Sequence, residues 1–232
     1  SEGRVKEAKK YAQATSTLKD YMVDDSKRLL NLLGIPWIDA PSEGEATAAY
    51  LTTIGAATDA ASQDYDSLLF GSKRLLRNVT VSGKRKLPGR PVFVNVEPEE
   101  VRLDQLLQNL GITREQLVDI GILLGTDFNP NGFKGIGPAR ALKFIKTHDK
   151  IEEIPQIHEE LERIDIEPIR KEFLEPRIIN VREFKWEQID REGLITFLCD
   201  ERAFSTARVE NALKKTLISQ ASKLENLDKW FQ

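Results

Sequence analysis

The chain has almost no sulfur and little imidazole: Cys199 is its one cysteine, and His148 and His158 are its two histidines. A lone cysteine excludes an internal disulfide framework and fits a reducing compartment. With so few thiolates and imidazoles, a zinc finger is excluded and a histidine-based zinc site is not expected. Long hydrophobic runs are missing as well. No stretch approaches the roughly 20 apolar residues of a helical membrane span, no secretory signal opens the chain, and no membrane partner is expected. Nor is there an excess of one charge. The 34 basic and 37 acidic residues leave a net charge of −3, which by itself argues against a nucleic-acid partner.

The distribution of charge argues otherwise. Between Lys73 and Arg90 lie seven basic residues (Lys73, Arg74, Arg77, Lys84, Arg85, Lys86, Arg90) and no acid. Separated zones of opposite sign can attract a polyanion at one place and cations at another. The 232 residues, 40% hydrophobic and 31% charged, supply enough apolar material for a substantial core. At about 150 residues per domain they make one large domain, or one with an appendage. The chain begins at Ser1, in a polar helix-like stretch, and is read as a piece of a longer protein.

Residues 4–33 carry apolar side chains at helical spacing, and Gly34 and Pro36 stop them. A short extended stretch is expected at 35–38 and an alanine-rich helix at 46–54. Residues 56–62 are small and apolar, as in a buried strand. Helical turn 66–70 and strands 77–81 and 92–96 follow, the strands joined by a basic loop, 82–90. Helices are expected at 98–107, from cap Thr113 to Leu124, from Pro138 to about Lys146, and at 193–199 and 205–219. Residues 151–192 read as short helices between prolines. Alternating helices and strands predict an α/β fold with a mostly parallel central sheet flanked by helices.

Three acidic groups sit at element ends. Glu43 and Glu45 open a helix, where Ser42 and Glu45 can form a capping box. Asp64 and Asp66 lie beyond the carboxyl end of strand 56–62, where open α/β sheets gather their functional groups. Asp127 lies in a Gly-Thr-Asp-Phe-Asn-Pro turn, where an Asx turn is the plain reading. Each group alone admits a purely structural role. Together they put five carboxylates toward one cleft. Two unit charges 4 Å apart repel by about 4 kcal/mol at an effective dielectric of 20, so such a cluster calls for cations. Oxygen ligands alone select two magnesium or manganese ions. The matching chemistry is two-metal phosphodiester hydrolysis.

Phe133-Lys134-Gly135-Ile136-Gly137-Pro138 places two glycines before a helix whose first turn has free N–H groups. Lys134, Arg140, Lys143 and Lys146 surround it. Such a hairpin suits a phosphodiester backbone. Lys84, Arg85 and Lys86 are either a solvated hairpin tip or a second contact with duplex phosphates. Helix 4–33, with Arg4, Lys6, Lys9 and Lys10, is a solvated face or a lid over single-stranded nucleic acid.

The segments Asp39-Ala-Pro-Ser-Glu43-Gly-Glu45-Ala46, Ala61-Ser-Gln-Asp64-Tyr-Asp66-Ser-Leu-Leu-Phe70 and Leu124-Gly-Thr-Asp127, the last running into the Gly-Ile-Gly-Pro hairpin, resemble the flap endonucleases of the XPG-like structure-specific 5′-nuclease family. Asn129-Pro130-Asn131-Gly132 resembles the archaeal members more than the eukaryotic ones, which implies a cytoplasmic, nucleoid-associated protein; a eukaryotic one is nuclear. The resemblance implies a PIN-like 5′-nuclease fold with a helix–three-turn–helix element. It implies cleavage of 5′ flaps and 5′–3′ exonuclease activity on branched DNA in replication and repair.

Carried over residue by residue, Glu45 is a direct ligand of the first metal with Glu43 beside it. Asp64 and Asp66 hold the second metal, and Asp127 acts mainly through coordinated water. The hairpin with Gly135 and Gly137 grips the downstream duplex and often binds potassium in this family. Arg202, Ala203 and Phe204 fall where the family builds part of a pocket for a one-nucleotide 3′ flap. The implied organisation is an arch in 1–33, the nuclease core in 34–128, the helix–three-turn–helix and C-terminal helices in 129–219, and a tail, 220–232. In the tail Leu227, Trp230 and Phe231 resemble a sliding-clamp peptide, with Leu224 in place of its usual Gln, so the proliferating cell nuclear antigen is the implied partner of a monomeric enzyme. The family's two further aspartates and first strand are expected in an N-terminal segment before Ser1; a non-catalytic DNA-junction and clamp-binding fragment is the alternative.

Overall fold

The computed structural model of the protein describes residues 18–80, 83–86, 92–181 and 183–216. In chain order the elements are α1 (Asp20–Leu32), α2 (Gly44–Thr53), β1 (Ala60–Ala61), α3 (Asp66–Leu69), β2 (Arg74–Arg77), β3 (Gly83–Lys86), β4 (Phe93–Val96) and β5 (Glu99–Arg102). Then come α4 (Leu103–Leu110), α5 (Arg114–Leu124), α6 (Pro138–His148), α7 (His158–Leu161), α8 (Ile166–Leu174) and α9 (Arg191–Ile195). Short 3₁₀ turns occupy Ile151–Glu153 and Pro155–Ile157, a π-helical turn follows at Thr196–Glu201, and 206–216 is helical. The chain divides into two compact units, Asp39–Glu183 and the paired ends Ser1–Ile38 with Phe184–Gln232.

In the larger unit β2 pairs in parallel with β1 (Ala60 opposite Leu75) and antiparallel with β5 (Leu75 opposite Val101). Leu75 is fully buried at the centre of this sheet and packs with Leu68 of α3 and Leu103 of α4. The main core lies among the helices. Ala46 and Ala49 of α2, Leu69 and Phe70, Val118, Ile122 and Leu123 of α5, Ala141 and Ile145 of α6, and Phe173 of α8 form one buried cluster. The small side chains of α2 let its backbone come close to that core. Each large residue buried there contributes about 1.5–3 kcal/mol of transfer free energy.

Helix α5 is set by its sequence. Thr113 and Gln116 form a reciprocal capping box, which satisfies two orphan amides. Arg114 then donates to the carbonyls of Leu69 (3.1 Å) and Phe173 (2.7 Å), so α5 fixes the end of α3. In the smaller unit Leu29, Leu32 and Leu33 pack on Leu194, Val209 and Leu213. Gly34, at φ 68°, turns the chain out of α1 in the left-handed region that glycine enters freely. Its carbonyl accepts from the Glu187 amide at 3.0 Å.

Several expected elements shift. The described part of helix 4–33 begins at Asp20, and residues 4–17 lie outside the described residues. Strand 56–62 contracts to Ala60–Ala61, and 35–38 pairs with no strand among the described residues. Strand 77–81 moves back to β2, because Leu75 takes the buried position between β1 and β5. Part of the expected basic loop is strand β3, paired antiparallel with β4 (Arg85 opposite Val94). The expected strand 92–96 forms as β4, with Phe93 62% exposed, whereas β3 has no apolar residue to mark it. The expected helix at 98–107 is β5 followed by α4. Glu99 and Glu100 read as a helical first turn, but across the ladder Glu99 pairs with Arg77 (2.8 Å) and Glu100 lies 3.4 Å from Arg74. Cross-strand charge pairing favours the strand. Helix 193–199 becomes α9 and the π turn.

Candidate active site and nucleic-acid interface

All five predicted carboxylates belong to the larger unit. Glu43 is the N-cap residue of α2 and Glu45 lies in its first turn. Asp64 follows β1, Asp66 is the first residue of α3, and Asp127 lies in the turn after α5. Glu43, Asp64 and Asp127 are exposed, whereas Glu45 and Asp66 are half-buried. Their mutual electrostatics show the convergence. Burial, reinforced by the negative charges of Glu45, Asp127, Asp64 and Glu43, pushes Asp66 up to about 6. Glu45 is also raised: burial dominates, the Ser62 hydroxyl opposes it, and Asp64 and Glu43 add to it.

The expected Ser42–Glu45 capping box does not form. The Ser42 hydroxyl donates to the Arg177 carbonyl at 3.2 Å, and no side chain caps α2. Glu45 instead accepts from the Ser62 hydroxyl. Ser62 Oγ in turn accepts from the Asp64 amide at 3.1 Å. One serine therefore ties the first acidic pair to the second.

The Asp127 turn is held from within. Asn129 Oδ1 accepts from the Thr126 amide (3.2 Å) and hydroxyl (2.7 Å), and its Nδ2 donates to the Ile122 carbonyl (2.7 Å). Gly132, at φ 51°, leaves no room for a Cβ against the Leu124 carbonyl. That close approach fixes where Asp127 leaves α5. The expected Asx turn at Asp127 is replaced by Thr126, whose hydroxyl accepts from the Phe128 amide at 3.3 Å, and by the backward bonds of Asn129.

The donor set is entirely carboxylate oxygen, and two of its members are held where further negative charge is unfavourable. Both properties fit hard divalent cations. Among the described residues no three acidic, histidine or cysteine side chains form a ready-made cage. Magnesium does not need one, since it keeps several waters and is bound through one or two carboxylates plus substrate phosphate.

The hairpin forms as expected. Phe133 is buried beneath it, Gly135 stands at φ 75°, and Gly137 is the N-cap of α6 with Pro138 in its first turn. A Cβ on Gly137 would meet no protein atom within 4 Å, so the bare backbone faces open space. Lys134, Arg140 and Lys143 are exposed and, with Ile136, Phe144 and Glu160, line a concavity of about 570 Å³. Arg140 Nη1 donates to the Gly135 carbonyl at 2.9 Å, and the Lys134 amide donates to Glu160 at 3.1 Å. Three basic side chains and one acid, Glu160, thus surround the exposed glycine backbone.

In the smaller unit Arg202 is paired with both Asp25 oxygens (2.6 and 2.7 Å). Ala203 takes a left-handed φ of 57° and Phe204 is 58% exposed beside it. Lys84, Arg85 and Lys86 fall in β3. Leu227, Trp230 and Phe231 lie outside the described residues. Sequence reading assigned no role to Ser62, Asn129, Tyr65 or Arg77. Ser62 and Asn129 stand within three residues of a predicted ligand, which was a usable signal; Arg77 is delivered by sheet register and left none.

A family model described as the XPG I-region matches residues 34–127. Flap endonuclease 1 of Nitrosopumilus maritimus is 51% identical over 231 residues, covering 100% of this chain and 68% of its own length. That of Saccharolobus solfataricus is 48% identical over 240 residues, covering 100% and 69%. The solved flap endonuclease-1 from Methanococcus jannaschii superposes with a TM-score of 0.73 at 35% identity, covering 94% of this chain and 65% of that one. The catalytic core of Rad2 in complex with DNA substrate, 18% identical over 91% of this chain and 72% of its own, shares the fold at a TM-score of 0.68. The chain thus spans about two thirds of the length of the relatives it matches. The α/β scaffold agrees with these matches, and the chain belongs to the flap endonuclease 1 family.

Proposed function

We propose that the complete protein is a divalent-metal-dependent, structure-specific 5′-flap endonuclease with 5′–3′ exonuclease activity on branched DNA in replication and repair. The observation that carries this reading is the meeting, at Asp66, of negative charge from three separate chain segments, 43–45, 64–66 and 127. When bound, two magnesium or manganese ions would lower the pKa of a water nucleophile and stabilise the charge that develops at the scissile phosphate. Glu45, Asp64, Asp66 and Asp127 would hold them, with Glu43 beside them. The chain's own part is positional. Ser62 holds Glu45, Asn129 holds the Asp127 turn, and the Gly135–Gly137 hairpin with Lys134, Arg140 and Lys143 binds backbone phosphate without reading bases. Specificity then follows from the shape and bending of the junction.

Finer assignments rest on sequence resemblance: potassium at the hairpin, Arg202 and Phe204 at a 3′ flap, and Leu227, Trp230 and Phe231 on a sliding clamp.

The test is cleavage of a 5′-flap DNA by the complete protein in magnesium. D64N and D66N should each retard flap DNA as the parent does, yet lose more than the roughly 10–100-fold that an outer-shell substitution costs. Near-parental turnover by either variant would remove the metal assignment. Retardation without cutting by the parent would leave a junction-binding protein.

A further inference from the structure

Asp64 sits in the short connection between β1 and α3, and Asp66 is the first residue of α3. What holds the connection is a side chain from β2. Arg77 Nε donates to the Gln63 carbonyl at 3.0 Å. Its Nη1 donates to the Tyr65 hydroxyl and to Glu99 Oε2, the latter at 2.8 Å. The guanidinium also stacks on the Tyr65 ring, 3.8 Å from its centroid. Gln63 and Tyr65 are the two immediate neighbours of Asp64, and Tyr65 separates Asp64 from Asp66. The Arg77 side chain is 19% exposed. Its own direction is set by the ladder, where Arg77 stands opposite Glu99 of β5.

We propose that Arg77 is a positioning residue for the metal-binding carboxylates, a guanidinium clamp that fixes the 63–65 backbone and so pre-organises Asp64 and Asp66. This inference rests on the metal-dependent reading above. A planar fork that stacks and donates from separate nitrogens cannot be replaced by an ammonium, which is a point charge on a flexible stem. Partners that orient metal ligands in this way typically control affinity by about 10–100-fold.

The experiment is manganese binding by the complete protein without DNA, followed by the electron paramagnetic resonance signal of the free ion. It is paired with thermal unfolding in chelator and with the magnesium dependence of flap cleavage. For R77K the manganese dissociation constant should rise about 10–100-fold and the half-saturating magnesium concentration should rise in step. The metal-free midpoint and metal-free flap binding should stay at parental values. Y65L, which removes the stacked ring, should shift metal affinity in the same direction and keeps the test open should R77K fold poorly. If the parent binds manganese, D64N and D66N do not, and R77K and Y65L bind it as the parent does, the clamp is refuted. Metal affinity that falls only in proportion to a lowered metal-free midpoint refutes it as well. A parent that binds no manganese, or D64N and D66N variants that bind it as tightly as the parent, overturns the metal reading itself.

Discussion

Two acidic clusters in the larger unit solve the same electrostatic problem in opposite ways. In one, Asp119 of α5, Glu152 of a 3₁₀ turn and Glu167 of α8 surround Arg170, which lies 2.9 Å from Asp119 and 2.9 Å from Glu152 and also pairs with Glu167. Asp119 is only 4% exposed. Burial raises its pKa against the pull of Arg170. Burial likewise opposes the charge on Arg170, but bonds to Glu152 and Asp119 hold the guanidinium above its ordinary range. A cavity of about 660 Å³ borders this cluster, and all three of its acids are bonded to Arg170. At the other cluster the charges acting on Asp66 are those of Glu45, Asp127, Asp64 and Glu43, all negative. One set of acids is spent on joining α5 to α8. The other meets only negative charge at Asp66, the condition that the proposed cation site needs. The sign of the neighbours, and not cavity size or acid count, separates a structural cluster from a functional one.

The largest effect that would break this comparison is on stability. R170M leaves Asp119 buried without its partner and should cost roughly 3–5 kcal/mol. D66N relieves repulsion and should stabilise the metal-free protein instead. Denaturant unfolding in chelator measures both. If D66N destabilises as R170M does, the five-carboxylate cleft is also a structural network and the contrast fails.

A helix-start signal occurs twice in the sequence and is obeyed once. Thr113 and Gln116 form their capping box; Ser42 and Glu45 do not, because Ser62 takes the Glu45 carboxylate. Local chemistry made the first legible. The second was overridden by a partner 17 residues away, and the failure falls on Glu45, a candidate ligand. The same division runs through the fold. Helices α5 and α6 and the Gly135–Gly137 hairpin were readable because caps, glycines and apolar spacing all agree. Strand β5 was not, because Glu99 and Glu100 suit a helix start until β2 is placed beside them. Strand β3 was not, because Gly83-Lys84-Arg85-Lys86 carries no apolar residue to mark a strand. All five carboxylates were legible by type and by their place at element ends. Ser62 and Asn129 left only their closeness in sequence to those acids, and Arg77, delivered by sheet register, left no signal at all.

A smaller effect sharpens the comparison through pH. Asp66 is raised in the fold from 3.8 to about 6, and Glu45 moves in the same direction. A raised carboxyl binds its proton more tightly folded than unfolded, so its contribution to stability is complete below the unfolded value and is lost as pH rises through the folded one. Metal-free protein should therefore lose thermal stability between about pH 4 and pH 6–7, a slope that D66N should flatten. Magnesium binds the ionised carboxylates and should restore the midpoint at pH 7 but not at pH 5. Carboxylates paired with arginine, such as Asp25 and Glu201, are lowered by their Arg202 and Arg28 partners. They act in the opposite sense, at lower pH. A metal-free midpoint that is flat from pH 5 to 7, and equal in D66N, would show that the cleft acids are as well compensated as those around Arg170.

The smallest effect concerns the positive counterpart of these clusters. Lys134 and Arg140 are exposed at the hairpin, and Arg140 is occupied by a carbonyl, Gly135, rather than by a carboxylate. Arg170 is saturated with acids, so it has no charge to offer a phosphate, whereas the hairpin does. Each phosphate contact releases condensed counterions, and its loss flattens the plot of log binding constant against log salt by about 0.9 on duplex DNA. K134A and R140A should each produce a change of that size in metal-free flap binding. K171A, on the exposed flank of α8 beside Arg170, should leave the slope alone. An unchanged slope in K134A and R140A would take the hairpin out of the interface, while a change in K171A would mean that the polyanion reaches the face around Arg170.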